Sequence, residues 1–335
     1  MSEKIDFIIA WVDGSDPAWN RLRLRYQKME CNEFSDLWNS SDVRFRDWDN
    51  LRYWFRGVEK FAPWVNKIHF VTCGHLPKWL NINHPKLNVV FHNQYIPKKY
   101  LPTFSSHCIE LNFHRIPDLS EKFVYFNDDM FIISETTSED FFKNGLPCDA
   151  AIISPIHLIQ NGIRAEINDM YIINRYFNKN DVIKKNYFKW FNPVYGKYLI
   201  RTVLMMPFKN FSGFFIHHMP TSLCKTTYSS VWDIAHAELN NTCSHRFRKT
   251  TDVNQWLFEF WQYATGLFTP RKVNVGKMFE GEKCFDEMIQ CIEEQKFKMI
   301  CCNDSIDYRN IEVYQKRLNK AFEKIFPDRS EFELF

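Results

Sequence analysis

The sequence lacks the motifs and runs that mark several large classes of protein. Only ten of its 335 residues are glycine, and neither Gly-x-Gly-x-x-Gly nor Gly-x-x-x-x-Gly-Lys-Ser/Thr occurs, so the usual nucleotide-loop fingerprints are missing. His-Glu-x-x-His is missing too, which excludes the common zinc protease motif. No uncharged run has spanning length, and the apolar run 5–12 is too short for a signal peptide or a membrane helix. These absences favour a folded protein without a transmembrane segment.

An excess of charge of one sign is missing as well. Lysine and arginine total 43 against 40 aspartates and glutamates, a net charge of +3, which is too small and too evenly spread to indicate a nucleic-acid partner. The ten cysteines include no Cys-x-x-Cys, and the adjacent Cys301 and Cys302 fit small buried hydrophobes better than a zinc site or a disulfide. Without an export signal, we expect reduced thiols and a cytoplasmic protein.

What is present is a long chain that is rich in aromatic side chains. Its length exceeds the usual single-core limit of about 250 to 300 residues, so one domain with a substantial appendage, or two domains, is expected. Phenylalanine, tryptophan and tyrosine make up 17% of the residues, which favours large buried faces and is compatible with a groove that stacks sugars.

Strand and helix patterns alternate along the first part of the chain. Apolar runs at 5–12, 67–72, 87–92 and 123–132 predict strands. Three-four apolar spacing after Asp47 predicts a helix that Asp47 or Asp49 caps and Pro63 stops, and a second helix starts at Ser105 or Ser106. Helical stripes follow near 256–264, 285–292 and 311–325. The pattern predicts an α/β fold with a Rossmann-like or GT-A-like, largely parallel sheet flanked by helices, and a mostly helical C-terminal part.

Acidic residues follow two of the predicted strands. Asn127, Asp128 and Asp129 interrupt the run FVYFNDDMFI, and two adjacent carboxylates need a cation or donors when they lose water. Ligands bind at the carboxyl ends of strands in open α/β sheets, so the run predicts a divalent metal there. An Asn-Asp-Asp turn between two strands is the alternative. Asp13 and Gly14 follow the first strand in the same way, either in the same pocket or as a simple Asp-Gly turn.

Three later segments carry further polar candidates. Asp304 follows the short apolar run 300–302, where it adds a polar group to the site or makes a turn. The stretch 178–216 interleaves cations with aromatic rings, which suits an acceptor or a membrane surface, although a solvated cationic face is the simpler explanation. His218 and Arg248 gain interest only if they converge on the acidic pocket.

Taken in order, these segments resemble the conserved blocks of the Stealth family. The first block is similar to IDFIIAWVDGSDP at 5–17. The second, which contains Arg44, Asp47 and Arg52, is similar to segments between 44 and 130 that end in YFNDDM. The third and fourth resemble HMP at 218–220 with RFR at 246–248, and CND at 302–304. The family usually has Glu near Asn50 and Asn near Ser105, so roles at those two positions do not carry over.

The resemblance implies transfer of a sugar 1-phosphate from a nucleotide sugar to a sugar hydroxyl, with Mg or Mn, in the making of a capsular or other surface polysaccharide. The implied donor is UDP-linked, such as UDP-N-acetylglucosamine, and the acceptor is a growing polysaccharide or a lipid-linked glycan. The implied site residues are Asp129, His218 and Arg248 for catalysis; Asp13, Gly14, Arg44, Asp47, Arg52 and Asn127 for the nucleotide sugar; and Asp128, Asp129 and Asp304 for the metal.

The chemistry of these side chains agrees with such a transfer. Arg248 can grip phosphate bidentately, while His218 or Asp129 takes the proton of the attacking hydroxyl. A metal-dependent glycosyltransferase and a non-catalytic carbohydrate-binding protein are the alternatives. We expect residues 1–177 to form the α/β core that binds donor and metal, 178–216 to be a variable acceptor region, and 217–335 to complete the site. No nucleic-acid partner is expected, and a peripheral association with the inner face of the membrane is compatible with the basic aromatic stretch.

Overall fold

The structure is a computed structural model that describes residues 4–30, 45–156, 164–304 and 310–335. Its strands are β1 Ile5–Ala10, β2 Ile68–Thr72, β3 Leu87–Phe91, β4 Lys122–Phe126, β5 Met130–Ile132, β6 Phe142–Lys143, β7 Leu146–Asp149, β8 Thr221–Cys224, β9 Thr269–Pro270, β10 Gly276–Glu280 and β11 Met299–Asn303.

The helices alternate with the strands in the first half of the chain and dominate from residue 164 onwards. They are α1 Pro17–Glu30, α2 Leu51–Phe61, α3 His92–Tyr95, α4 Ser106–Leu111, α5 Arg164–Tyr176, α6 Lys179–Lys185, α7 Tyr187–Trp190, α8 Leu199–Met205, α9 Lys225–Ile234, α10 His236–Ser244, α11 Trp256–Thr265, α12 Phe285–Glu293 and α13 Ile311–Ile325.

The central sheet has five strands in the order β3-β2-β1-β4-β8. The first four are parallel to one another, and β8 pairs with β4 in the antiparallel direction. Strand β1 is buried along nearly its whole length, as expected where helices cover both faces of a parallel sheet. The predicted α/β class, the mainly parallel sheet and the helical C-terminal part are confirmed.

One local prediction is confirmed and one is wrong. Strand β4 ends at Phe126, just before the acidic residues, and β5 begins at Met130 in a second sheet of order β10-β11-β5, so the strand end and the alternative Asn-Asp-Asp turn between two strands are both present. The amide of Met130 donates to the carbonyl of Asn127 at 3.1 Å, so a turn connects the two sheets. The prediction that Asp47 or Asp49 caps α2 is wrong, because Asn50 occupies the N-cap and Asp47 accepts from the Asp49 amide instead.

Two hydrophobic cores lie on the central sheet. One joins β1 and α2 to the C-terminal helices α12 and α13, and the other joins β4 to α9, α10 and α11. Each core therefore combines residues from the first and last thirds of the chain. Gly57 on α2 lies so close to β5 that a Cβ atom there would be 2.5 Å from the carbonyl oxygen of Ile132. A side chain at this position would force α2 away from β5.

The described residues contain no helix that is both long and apolar enough to cross a membrane. Nine of the ten cysteines lie in the described ranges, and all nine are free thiols. The tenth, Cys31, lies outside those ranges.

Trp54 supports the first core from the centre of α2. Its side chain is fully buried, with its ring 5.0 Å from Phe55 and 5.5 Å from Phe126 between centroids. We expect Trp54→Ala to lower the free energy of unfolding by about 3–5 kcal/mol, because a large cavity replaces the indole. Urea denaturation followed by circular dichroism measures the change.

The matched control for Trp54 is Tyr171→Ala, which removes an aromatic ring that is 65% exposed. This variant is expected to unfold within about 0.5 kcal/mol of the wild type. Equal stabilities for the two variants would show that the indole of Trp54 does not support the core.

Candidate active site

Two neighbouring cavities lie at the carboxyl edge of the parallel strands. An enclosed cavity of about 170 Å³ is lined by the ends of β1 and β4, by α4 and by Arg248. An open groove of about 610 Å³ lies between the loop after β1 and the segment before α2. Trp11 and Phe45 line both cavities, so one ligand can occupy both spaces. This is the edge at which the sequence predicted a binding site.

Asp128 faces the enclosed cavity together with Asn127. Solvent reaches its side chain through the opening, yet the surrounding protein limits hydration. This desolvation, followed by repulsion from Asp129, Asp47 and Asp304, raises the pKa of Asp128 to about 8. The protonated form of Asp128 therefore persists to higher pH than that of an ordinary aspartate. A cation that bound here would favour the ionised form.

Asp129 lies on the other side of the same turn, against β11. Its Oδ2 atom accepts a hydrogen bond from the Cys301 thiol at 3.3 Å, and its carbonyl accepts from the Cys302 amide at 2.8 Å. Its Oδ1 atom is buried and has no hydrogen-bond partner in the structure. Burial, and then the charge of Asp129, raises the pKa of Cys301 well above its usual value, so the thiol donates and is not a thiolate.

His218 reaches the same carboxylate from the segment before β8. One ligand atom from each of Asp129, His218 and Cys301 lies within 4.8 Å of the others. The backbone of His218 has a φ of 43°, a left-handed conformation that is uncommon for residues other than glycine and costs of order 1 kcal/mol. The fold therefore holds this imidazole next to Asp129 in a strained turn, about 90 residues further along the chain by the numbering.

Arg248 lines the enclosed cavity opposite the acidic turn. One guanidinium nitrogen donates to the hydroxyl of Ser106, at the start of α4. The positive charge of Arg248, after burial, also lowers the pKa of the neighbouring His107. A guanidinium that is fixed in this way presents its remaining donors to the cavity, which suits an anionic phosphate.

Asp252 holds the loop that carries Arg248. Its fully buried carboxylate accepts from His107 Nδ1 at 3.2 Å, from His245 Nδ1 at 2.7 Å and from the Lys249 amide at 2.9 Å. Burial alone would raise the pKa of Asp252, but the hydrogen bonds from His107 and His245 outweigh it and lower the pKa. The loop is thus tied to α4, which also contacts Arg248.

The open groove contains the other predicted acidic residues. Asp13, Gly14 and Asp47 all line it. The Asp13 carboxylate accepts from the amide and hydroxyl of Ser15 at 2.8 and 2.6 Å, so the Asp-Gly turn is present, and Asp13 lines the groove next to the cavity that Asp128 lines. A Cβ atom on Gly14 would lie 1.7 Å from the carbonyl oxygen of Phe45, and only glycine permits this approach. Burial and the charges of Asp49 and Asp13 raise the pKa of Asp47.

Four of the predicted site residues line neither cavity, namely Asp129, His218, Arg52 and Asp304, and Arg44 lies outside the described ranges. Arg52 lines neither cavity, and its guanidinium lies 5.6 Å from the ring centre of Trp79. Asp304 follows β11 and pairs with Arg46 at 3.2 Å, while its charge contributes to the raised pKa of Asp128. Arg44 lies outside the described residues, so its predicted role in donor binding stays a prediction.

Glu110 is a cavity residue that sequence reasoning missed. It is only 5% exposed, its Oε1 accepts from the Tyr125 hydroxyl at 3.0 Å, and its Oε2 has no hydrogen-bond partner in the structure. The available signal was a single carboxylate between the apolar residues Ile109 and Leu111. That pattern is weak, because a glutamate in a short helix normally faces solvent.

The groups present fit the hard divalent cation that the sequence predicted. The Asp129 carboxylate oxygen without a hydrogen-bond partner is a ligand that Mg or Mn accepts, and the neighbouring carboxyl of Asp128 would add to the attraction of a cation. The Cys301 thiol donates to Asp129 in the structure.

Comparisons with known proteins identify the family. The family model "Stealth protein CR1, conserved region 1" matches residues 3–30, and "Stealth protein CR2, conserved region 2" matches residues 44–149. A capsular polysaccharide phosphotransferase WcwK of Streptococcus pneumoniae is 42% identical over 332 residues, which cover 99% of this chain and 98% of the relative.

Two further relatives carry similar names. A receptor polysaccharide phosphotransferase WefC of Streptococcus oralis is 38% identical over 334 residues, which cover 99% of each chain. An exopolysaccharide phosphotransferase cps2G of Lactiplantibacillus plantarum is 38% identical over 332 residues, which cover 98% of this chain and 96% of the relative. Because these similarities extend over nearly all of both sequences, the chain belongs to the Stealth family, and its relatives are named as polysaccharide phosphotransferases.

Proposed function

We propose that the protein transfers a sugar 1-phosphate from a nucleotide sugar to a hydroxyl of a surface polysaccharide under synthesis. The observation that carries the proposal is the convergence of Asp128 and Arg248, 120 residues apart by their numbers, on one enclosed cavity at the strand ends. The names of the relatives, all polysaccharide phosphotransferases, support the same reaction class.

The reaction exchanges one bond to phosphorus for another. The acceptor hydroxyl oxygen forms a bond to the phosphorus atom that carries the sugar, and the bond from that phosphorus to the bridging oxygen breaks. The nucleoside monophosphate leaves with the bridging oxygen, and the product is a phosphodiester. With the donor phosphates in the cavity, Arg248 would face the oxygens that gain charge, and a preorganised cation there would stabilise the transition state.

A divalent metal held by Asp128 and Asp129, with Asp304 nearby, would supply further positive charge to the phosphate oxygens. We assign the proton of the acceptor hydroxyl to His218, since its imidazole lies beside Asp129 and an imidazole nitrogen can accept a proton. Asp129 is the alternative acceptor, and His218 would then bind a phosphate oxygen. The pH profile of His218→Ala separates the two, because the acid limb disappears only if His218 is the base.

We propose that the donor is UDP-linked and carries an N-acetylhexosamine, and that the acceptor is a growing polysaccharide or a lipid-linked glycan. Asp13, Asp47 and Asn127 line the two cavities that such a donor would occupy. The nine free thiols of the described ranges fit a reducing compartment, so we propose that the reaction takes place in the cytoplasm.

The product of the donor tests this function directly. Incubation with a panel of nucleotide sugars and Mg or Mn is expected to release the nucleoside monophosphate when a glycan acceptor is present, and excess chelator is expected to stop the release. Chromatography of the nucleotides measures both results. Release of the diphosphate would indicate glycosyl transfer, and the absence of any release with every donor would indicate a binding protein; either result would overturn the proposal.

Binding of the metal tests the proposed site by a second measurement. The metal alone is expected to raise Tm, because it relieves repulsion between Asp128 and its acidic neighbours. The increase should be larger at about pH 8 than at about pH 6, since a proton on Asp128 competes with the cation below its raised pKa. An equal increase in an Asp128→Asn variant would place the metal elsewhere.

A further inference from the structure

Helix α8 turns its apolar side outwards. Ile200, Val203 and Leu204 lie at the spacing that shares one face of a helix, and they are 62%, 50% and 62% exposed. Phe208, just after the helix, and Phe188, on α7, are exposed in the same way. A surface helix normally does the reverse and turns its polar side to water.

The opposite side of α8 is fixed to the body of the protein. The hydroxyl of the buried Thr202 accepts from the Ile153 amide at 3.1 Å. The buried ammonium of Lys179 donates to the carbonyls of Met205 and Met206 at 2.9 and 3.0 Å, and to that of Phe208. The apolar face is therefore held outwards by contacts on its other side, and rotation of α8 to hide it would break them.

The chain segment that contains this face carries an excess of positive charge. Residues 178–216 contain seven lysines and arginines and one aspartate, whereas the whole chain has an excess of three positive charges. The rest of the chain is thus slightly acidic. Lys184, Lys185, Lys197 and Lys209 are exposed.

We propose that the outward face of α7 and α8, with these four lysines, docks onto the surface of an anionic lipid bilayer. Apolar side chains would enter the interface between headgroups and acyl chains, and the lysines would contact lipid phosphates. A second copy of the chain is a poorer occupant, because a symmetric contact through this face would bring the two positive excesses together. The described ranges contain no spanning helix, so the attachment is peripheral.

A short stretch of chain joins α8 to the candidate active site. It runs through Phe214, which pairs with Ile153, to the imidazole of His218 beside Asp129. Docking through α8 would attach the protein to the surface at which a lipid-linked glycan would present its hydroxyl. The docking itself does not depend on the proposed reaction and is tested without it.

Vesicle sedimentation without substrate tests the proposal. The protein is expected to sediment with vesicles of equal parts phosphatidylglycerol and phosphatidylcholine, and much less with phosphatidylcholine alone. Each exposed lysine near an anionic surface strengthens binding about fivefold, so Lys184→Gln with Lys185→Gln should weaken it at least tenfold. The triple change Ile200→Ser, Val203→Ser and Leu204→Ser should weaken it by at least as much, because apolar burial is lost.

Matched controls lie outside the face. Ile82→Ser with Leu334→Ser removes two side chains that are 50% and 61% exposed, and vesicle binding should not change. Absence of sedimentation with anionic vesicles, or unchanged binding of both the lysine and the serine variants, would overturn the proposal. A concentration-dependent dimer that the serine variant abolishes would also overturn it, in favour of a second copy. Circular dichroism confirms that each variant is folded.

Discussion

Asp129→Asn is expected to lower kcat by about a hundredfold or more while the protein stays folded. The substitution keeps the size of the side chain and an oxygen that can accept from the Cys301 thiol. It removes the negative charge that would hold the metal or take the proton. Steady-state release of nucleoside monophosphate measures the loss.

The same variant has a second, opposite effect on stability. Asp129 contributes to the repulsion that raises the pKa of Asp128, and its Oδ1 atom is buried without a hydrogen-bond partner. Removing this charge should leave the metal-free protein at least as stable as the wild type, as judged by Tm. The increase in Tm on adding Mg should then become smaller.

The control for Asp129 is Asp140→Asn. Asp140 accepts hydrogen bonds from Lys298 at 2.8 and 2.7 Å, but it is not part of the cluster of Asp129, His218 and Cys301 and does not contribute to the raised pKa of Asp128. It should retain wild-type turnover. If a folded Asp129→Asn variant turned over normally, the assigned site would be wrong despite the family match.

Arg248→Lys is expected to lower kcat by a similar factor, although it preserves the charge. The guanidinium donates to Ser106 while it faces the enclosed cavity. A lysine ammonium lacks the planar set of donors that allows arginine to make both contacts at once. If Arg248 acts only in the transition state, kcat and kcat/KM should fall together. Arg175→Lys, a change at an exposed ion pair with Glu238, is the control and should have little effect.

Asp252→Asn tests whether Asp252 fixes the position of the loop that carries Arg248. An asparagine oxygen cannot satisfy the three donors that point at Asp252, so we expect lower stability at neutral pH and slower turnover. The native pKa of Asp252 is lowered, so its stabilising effect is present above the ordinary aspartate range and is lost as pH falls through the native pKa. The stability gap between wild type and variant should therefore close in acid. A constant gap would exclude an ionised Asp252.

The sequence predicted the central sheet well. Apolar runs identified β1, β2, β3 and β4 because strands of a covered parallel sheet are mainly apolar, although β3 lies at the edge and is only partly buried. The sequence did not show that β5 joins a different sheet from β4, since both are apolar and only pairing partners distinguish their sheets. Pairing is a long-range property that a local pattern does not contain.

The site residues divide in a similar way. Asp128 and Asp129 were identified because two adjacent carboxylates inside an apolar run are physically unusual. Asp252 and Glu110 were missed because nothing near them in the chain is unusual. Their importance comes from partners such as His107 and Tyr125, which the fold brings to them. The role of Arg52 in donor binding stays a prediction, since its side chain lies over Trp79, which lines the open groove.

The pairing of β5 with β11 affects when the protein becomes active during its synthesis. Asp129 follows β4 but contacts Cys301 and Cys302, more than 170 residues later by their numbers. When only the central sheet has left the ribosome, the carboxylate of Asp129 has therefore been made without the strand that contacts it. Because such distant contacts form late, a nascent chain should bind donor poorly until β10 and β11 have emerged. Truncation before β10 should give the same inactive state permanently.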